Sequence, residues 1–231
     1  ANRFSYYIQD ETGGINITKG SEAGGGPVYQ KGDRLLVTGK LEYFRGTSQL
    51  SLTNLANDVI YLDSGNPVNP IDVTLRQYLA NPEMYEGRYI QIKGVGQVPG
   101  SPAWPAPGSD ANMQIYDGFN KIVLRVDKDT DLDSNAAPTF PITVKGVATQ
   151  YTSASTIHND GYQISPSWYA DITSNVAAPP SPYFSLLEPA NNAEVPITNA
   201  SDTYTVRWRK ALDFNNDPLM YQFLALPNLI T

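Results

Sequence analysis

The feature that most constrains the fold is a pattern that occurs twice. "YYIQDETGGINIT" aligns with "NMQIYDGFNKIVLRV" so that Asp10 meets Asp117, and "DRLLVTGKLEYF" aligns with "FPITVKGVATQY" so that Gly39 meets Gly146, both at an offset of 107 residues. A third block, "SQLSLTNLANDVI" against "GYQISPSWYADI", matches Gln49 with Gln163 after a longer loop. Three blocks in one order imply two copies of one module within 231 residues, so each copy is a small domain with its own core.

The local signals are those of β structure. Phe4, Tyr6 and Ile8 alternate with Ser5, Tyr7 and Gln9, and Ile15 and Ile17 flank Asn16, a period of two. Between these runs, Asp10 to Gly14 has the composition of a hairpin turn. Gly39 and Gly94 interrupt apolar strands, where glycine marks a bulge or the bend of a barrel corner. One stretch is helical: in "DVTLRQYLANPEMYEG", Asp72 or Thr74 caps, Leu75, Tyr78 and Leu79 form an apolar stripe, and Pro82 stops the helix. From Ser174 a Pro/Ala/Ser linker leads to "FSLLEPANNAEVPI", "TYTVRWRKA" and "LMYQFLAL", read as three strands, too few for an independent sandwich.

Strands with mid-strand glycines, in the order hairpin, long connection, hairpin, look like the five-stranded OB-fold. "VTLRQYLANPEMYEGRYIQIKGV", "LRVDKDTDL", "ITVKGVATQY" and "DGYQISPSWYADI" resemble the tandem OB-fold modules of large secreted bacterial surface proteins and extracellular nucleases. "PSPYFSLLEPANNAEVPI" with "YTVRWRKALDFNNDPLMYQF" is similar to the start of a fibronectin-III-like or immunoglobulin-like domain. The expected fold is all-β: OB-like barrels over 1–65 and 66–174, a linker over 175–182, and a partial Ig/Fn3-like sandwich over 183–231, with Trp208 as its core tryptophan. The second barrel has five strands, near 88–98, 112–117, 121–127, 141–151 and 161–166. The first begins at its second strand, near Arg3, and lacks its own first strand. Either that strand precedes the chain, or a neighbouring molecule supplies it, for which the uncharged "YQFLALPNLIT" is a candidate donor by strand addition.

The candidate chemistry is sparse. Net charge is −7 and none of the stretches 1–65, 66–175 and 176–231 is basic, so no electrostatic footprint for nucleic acid is present. With no cysteine, disulfides, zinc-thiolate sites and thiol nucleophiles are excluded, and no apolar run is long enough to span a membrane as a helix. Asp10 beside Thr-Gly-Gly invites comparison with an aspartic protease, but Asp117 has no matching Thr-Gly, and that chemistry needs two carboxylates sharing a proton. Asp127, Asp129, Asp131 and Asp133 alternate as calcium ligands would, although Leu132 and Pro138 stand where an EF-hand loop has Gly and Glu. "DFNNDP" near Asp213 is a weaker calcium candidate. His158 is the sole histidine, and no G-x-S-x-G occurs, so no enzyme is expected within these residues.

A binding surface is better supported. OB-folds use the face of strands 2 and 3 with the flanking 1–2 and 4–5 loops. In the second barrel these would bring Trp104 and His158 near Tyr116 and Arg125, with Trp104 as a stacking platform or as a hydrophobic plug. Tyr7, Asn16 and Arg45 hold the related face of the first. The role expected is a non-enzymatic structural or adhesive segment of a secreted, extracellular bacterial cell-surface or filament-forming protein, in contact with other proteins or with copies of itself through β-strand addition. The alternative is an accessory module for single-stranded nucleic acid or glycan beside the catalytic domain of an extracellular nuclease or other hydrolase.

Overall fold

The computed structural model describes residues 2–22, 25–154, 156, 158–175, 177–196 and 198–222. It is all-β, with only short helices. Two compact units are present, Ala1–Val176 and Ala177–Thr231.

In the first unit, β1 (Asn2–Gln9) and β2 (Gly14–Glu22) form an antiparallel hairpin. β3 (Arg34–Val37) and β4 (Lys40–Phe44) follow, divided at Thr38 and Gly39. β5 (Thr47–Ser51) runs antiparallel to β4 and parallel to β2, with Asn16 opposite Gln49. After one helical turn, α1 (Leu55–Asp58), β6 (Val59–Asp63) pairs with β3. The result is a four-stranded sheet in the order β1-β2-β5-β4 and a separate β3-β6 pair. Among the described residues β1 is an edge.

β7 (Ile71–Asp72) leads into α2 (Leu75–Ala80), where Thr74 and Gln77 cap each other reciprocally as a capping box. A 3-10 turn at Pro82–Tyr85 then delivers β8 (Tyr89–Gln97). β9 (Ala111–Tyr116) and β10 (Lys121–Val126) form a hairpin, followed by β11 (Ile142–Gln150), β12 (Tyr162–Ser165) and the short β13 (Ile172–Ser174). The order β8-β9-β10-β12-β11 closes because β11 also pairs with β8, giving an OB-like five-stranded barrel. β8 reaches both neighbours by bending. Gly94 has φ +65°, and the register with β11 shifts there, so that Lys93 and Gly94 stand opposite a single residue, Thr143. This is the bulge the mid-strand glycine announces. Ile90, Ile92, Val95, Met113, Ile115, Leu124, Leu132, Ile142, Val144 and Ile164 fill the barrel, each 0–1% exposed.

The second unit differs from expectation. Its strands are β14 (Leu186–Glu188) and β15 (Arg207–Trp208), paired antiparallel. The third expected strand carries no strand in its described part, and the remainder, with most of the proposed donor segment, lies in 223–231, outside the described residues. Trp208 is 38% exposed and leans on Tyr221 at 5.5 Å, so it is not the core residue of a sandwich. Among the described residues no second sheet covers it. None of the described helices is long and apolar enough to cross a membrane.

Candidate functional site

The turns of the β1–β2 and β9–β10 hairpins are built alike. Asp10 N–H donates to Gly13 O, and Asp10 Oδ1 accepts from Thr12 N–H, Thr12 Oγ1 and Gly13 N–H. Asp117 N–H donates to Asn120 O, and Asp117 Oδ1 accepts from the N–H groups of Phe119 and Asn120. The Thr12 hydroxyl and the Thr12 and Gly13 backbone hold the Asp10 carboxyl below its ordinary value. An ionised Asx-turn acceptor of this kind has no proton to share with a second carboxylate.

The Asp10 turn has a further use, which the sequence did not announce. Gly14 lies against Gly87 so closely that a Cβ on Gly14 would overlap the Gly87 carbonyl and lie 2.7 Å from Arg88 N. Around this contact Arg88 Nη2 donates to Glu11 O, Tyr89 N–H to Gln9 Oε1, and Ser48 N–H and Oγ to the Glu86 carboxylate. Thr47 Oγ1 donates to Gln150 O, Thr152 N–H to Arg45 O, and Arg45 Nη1 to Ser153 O. Lys31 places its ammonium 3.9 Å from the centre of the Tyr89 ring, whose hydroxyl donates to buried Asp171. These contacts form a seam between 1–65 and the barrel. They lie at the hairpin end of the β1–β2 sheet: Arg45 is committed to the seam, and Asn16 is buried, donating to Ser5 Oγ and Tyr6 O.

Tyr7 retains 36% exposure, yet its hydroxyl lies in the seam, where burial and the nearby Glu86 charge push its pKa up to about 12. Burial first, and then Asp171 and Glu83 respectively, also raise Tyr89 and Tyr162. The unfolded chain therefore releases these protons near pH 10 while the folded chain keeps them, so stability falls as pH rises from about 10 through about 12. Alkaline unfolding followed by tyrosinate absorbance is expected to show this loss, and Tyr7→Phe should shift the transition to higher pH.

The seam contacts named above involve no residue of β9 or β10, the barrel's strands 2 and 3. Asn112, Gln114, Tyr116, Lys121, Val123 and Arg125 alternate outward from β9 and β10, with Gln163 beside Val123 on β12. The register separates the four expected binding residues into two ends. The loop carrying Trp104 returns at Ala111, opposite Val126, at the end where Arg125 lies. The loop carrying His158 returns at Tyr162, at the end of β10 where Lys121 stands opposite Tyr116.

Each of the four has its own setting. Trp104 packs on the barrel core, stands edge-on to Tyr169 at 6.3 Å, and donates from Nε1 to Asn135 O, which is the plug arrangement. Arg125 bridges Asp110 at 3.0 Å and Asp127 at 3.1 Å, so its charge is largely matched. His158 stacks on Tyr43 of the first module at 4.4 Å. Tyr116 stays half-buried on the face. Sequence reasoning missed Phe119, 78% exposed at the hairpin tip, and the exposed Lys121 beside it. An apolar residue inside the turn "DGFNK" was the available signal.

The four alternating aspartates are not brought together as calcium ligands. Asp127 Oδ1 accepts from Asp129 N–H, Asp131 Oδ1 from Tyr169 N–H, and buried Asp133 from Gly108 N–H. No group of three or more His, Cys, Asp or Glu side chains suited to a metal occurs among the described residues, those near Asp213 included.

Among curated proteins the chain is similar to Endonuclease YhcR of Bacillus subtilis (strain 168), 30% identical over 131 residues. The match covers 55% of this chain and 10% of that protein, so the chain spans about a tenth of the relative's length. No family model matches the sequence, and no solved structure matches the fold.

Proposed function

We propose that this chain is a non-enzymatic accessory region of a secreted, nuclease-associated protein, and that its closed barrel offers the β9–β10 face to single-stranded nucleic acid. The observation that carries the reading is the 30% identity to an endonuclease of which the chain spans only 10%, a proportion expected of a module beside a catalytic part. The geometry is compatible: Tyr116, Phe119 and Lys121 gather aromatic surface and one positive charge at the hairpin end of the β9–β10 face. The two similar pairing patterns, Asn16 opposite Gln49 and Val123 opposite Gln163, support reading 1–65 and 66–174 as two copies of one module.

The test is fluorescence titration of the 231-residue chain with a labelled single-stranded oligonucleotide across a salt series. Binding is expected at low salt, weakening as salt rises. Lys121→Ala should reduce the salt slope by about one phosphate contact. Trp104→Ala should leave that slope unchanged, because its ring is a plug. No binding at low salt would overturn the nucleic-acid reading, and binding to a soluble oligosaccharide instead would move the ligand class to glycan.

One observation favours the structural or adhesive role as a second reading: among the described residues one edge of β1 has no strand paired to it.

A further inference from the structure

We infer that the first module carries a docking site for an added β-strand, a segment that runs along the outer edges of β1 and β3 and closes the module as β8 closes the barrel. The inference does not rest on the nucleic-acid reading.

In the barrel, β8 spans two neighbours. Its Gly96 and Gln97 pair with Tyr116 and Ile115 of β9, and residues 89–95 pair along β11 from Val147 to Ile142. Its apolar residues Ile90, Ile92 and Val95 are buried beside Met113 and Ile115 of β9 and Ile142, Val144 and Ala148 of β11, all 0–1% exposed. At the 107-residue offset the corresponding residues of the first module are Tyr6 and Ile8 of β1, Leu35 and Val37 of β3, and Leu41 of β4. Tyr6, Ile8, Leu35 and Val37 are only partly buried, and Leu41 is 59% exposed. Phe4 and Ile17, which correspond to positions away from β8, are 0–1% exposed. The uncovered apolar surface thus coincides with the footprint that β8 has in the barrel.

The backbone agrees with the side chains. Among the described residues β1 pairs on one side only, with β2, and β3 pairs only with β6, just as β11 pairs with β13 on the edge not used by β8. Two open edges that in the barrel receive one shared strand mark where such a strand would fit. β8 also specifies the occupant's chemistry. It is an extended segment of about nine residues with apolar side chains at alternate positions and a glycine where it bends from one neighbour to the other, antiparallel to both.

The test uses the 231-residue chain and a synthetic peptide with the sequence of Arg88–Val98, RYIQIKGVGQV, read by amide hydrogen exchange. With the peptide at about ten times its dissociation constant, exchange of the β1 and β3 amides is expected to slow roughly tenfold, while the β9 and β11 amides stay unchanged. A control peptide carrying Ile90→Glu, Ile92→Glu and Val95→Glu should give no protection. The inference is overturned if neither peptide slows exchange or both do so equally. It is also overturned if β1 becomes protected with rising protein concentration and no peptide, since the edge would then pair with another copy of itself.

Discussion

Replacing Gly87 by alanine is expected to destabilise the first unit severely and to split its unfolding into two transitions. Gly87 has φ +73°, which costs an L-residue about 1–3 kcal/mol. The added methyl also points into the Gly14 backbone, 2.6 Å from both Gly14 O and Ile15 N. Neither atom belongs to a flexible side chain, so relief requires the two modules to move apart. That would open the hydrogen bonds of Glu86, Arg88 and Tyr89 to the first module. Gly65→Ala is the control, with φ +80° and no atom within 4 Å of the added Cβ, so it carries the φ cost alone. Denaturant melts of the two variants should differ by the seam's contribution. If Gly87→Ala melts like Gly65→Ala, the close approach of the two backbones is not present in solution.

The second large effect is a contrast. Ile115→Ala removes a fully buried side chain from a closed core and should cost about 2–5 kcal/mol. Ile8→Ala changes the corresponding residue of the first module, which is only partly buried, and should cost about half as much because less apolar area leaves water on folding. Equal costs would mean that the first module's core is already closed in solution, and the docking site for an added strand would not exist.

How much of this was legible in the sequence depended on the range of the interaction. The Asp10 and Asp117 turns, the Thr74 cap and the Gly94 bend are written in residues that touch within a few positions of one another, and each of these features was readable. The seam was not, because its central contact joins two glycines 73 positions apart, and a glycine's sequence signature does not distinguish a turn from a close backbone approach. Lys31 over Tyr89 was invisible for the same reason. The candidate site was half legible. Strand order predicted which face and which loops, but strand direction puts Trp104 and His158 at opposite ends, and Tyr43 takes up the histidine ring. In the second unit two of the three expected strands are present, at Leu186–Glu188 and Arg207–Trp208, and the third lies mostly in 223–231, outside the described residues.

The connector between the modules, "SGNPVNP" at 64–70, would pass in isolation for a hinge. Gly14 against Gly87 removes that freedom from one side: with backbone on backbone, tilting the modules together is blocked by hard-core repulsion, and tilting them apart breaks charge-assisted hydrogen bonds at Glu86. The joint therefore behaves as a mechanical stop. A load applied along the chain would reach the barrel with its direction preserved, and the β9–β10 face would keep a constant bearing relative to the first module.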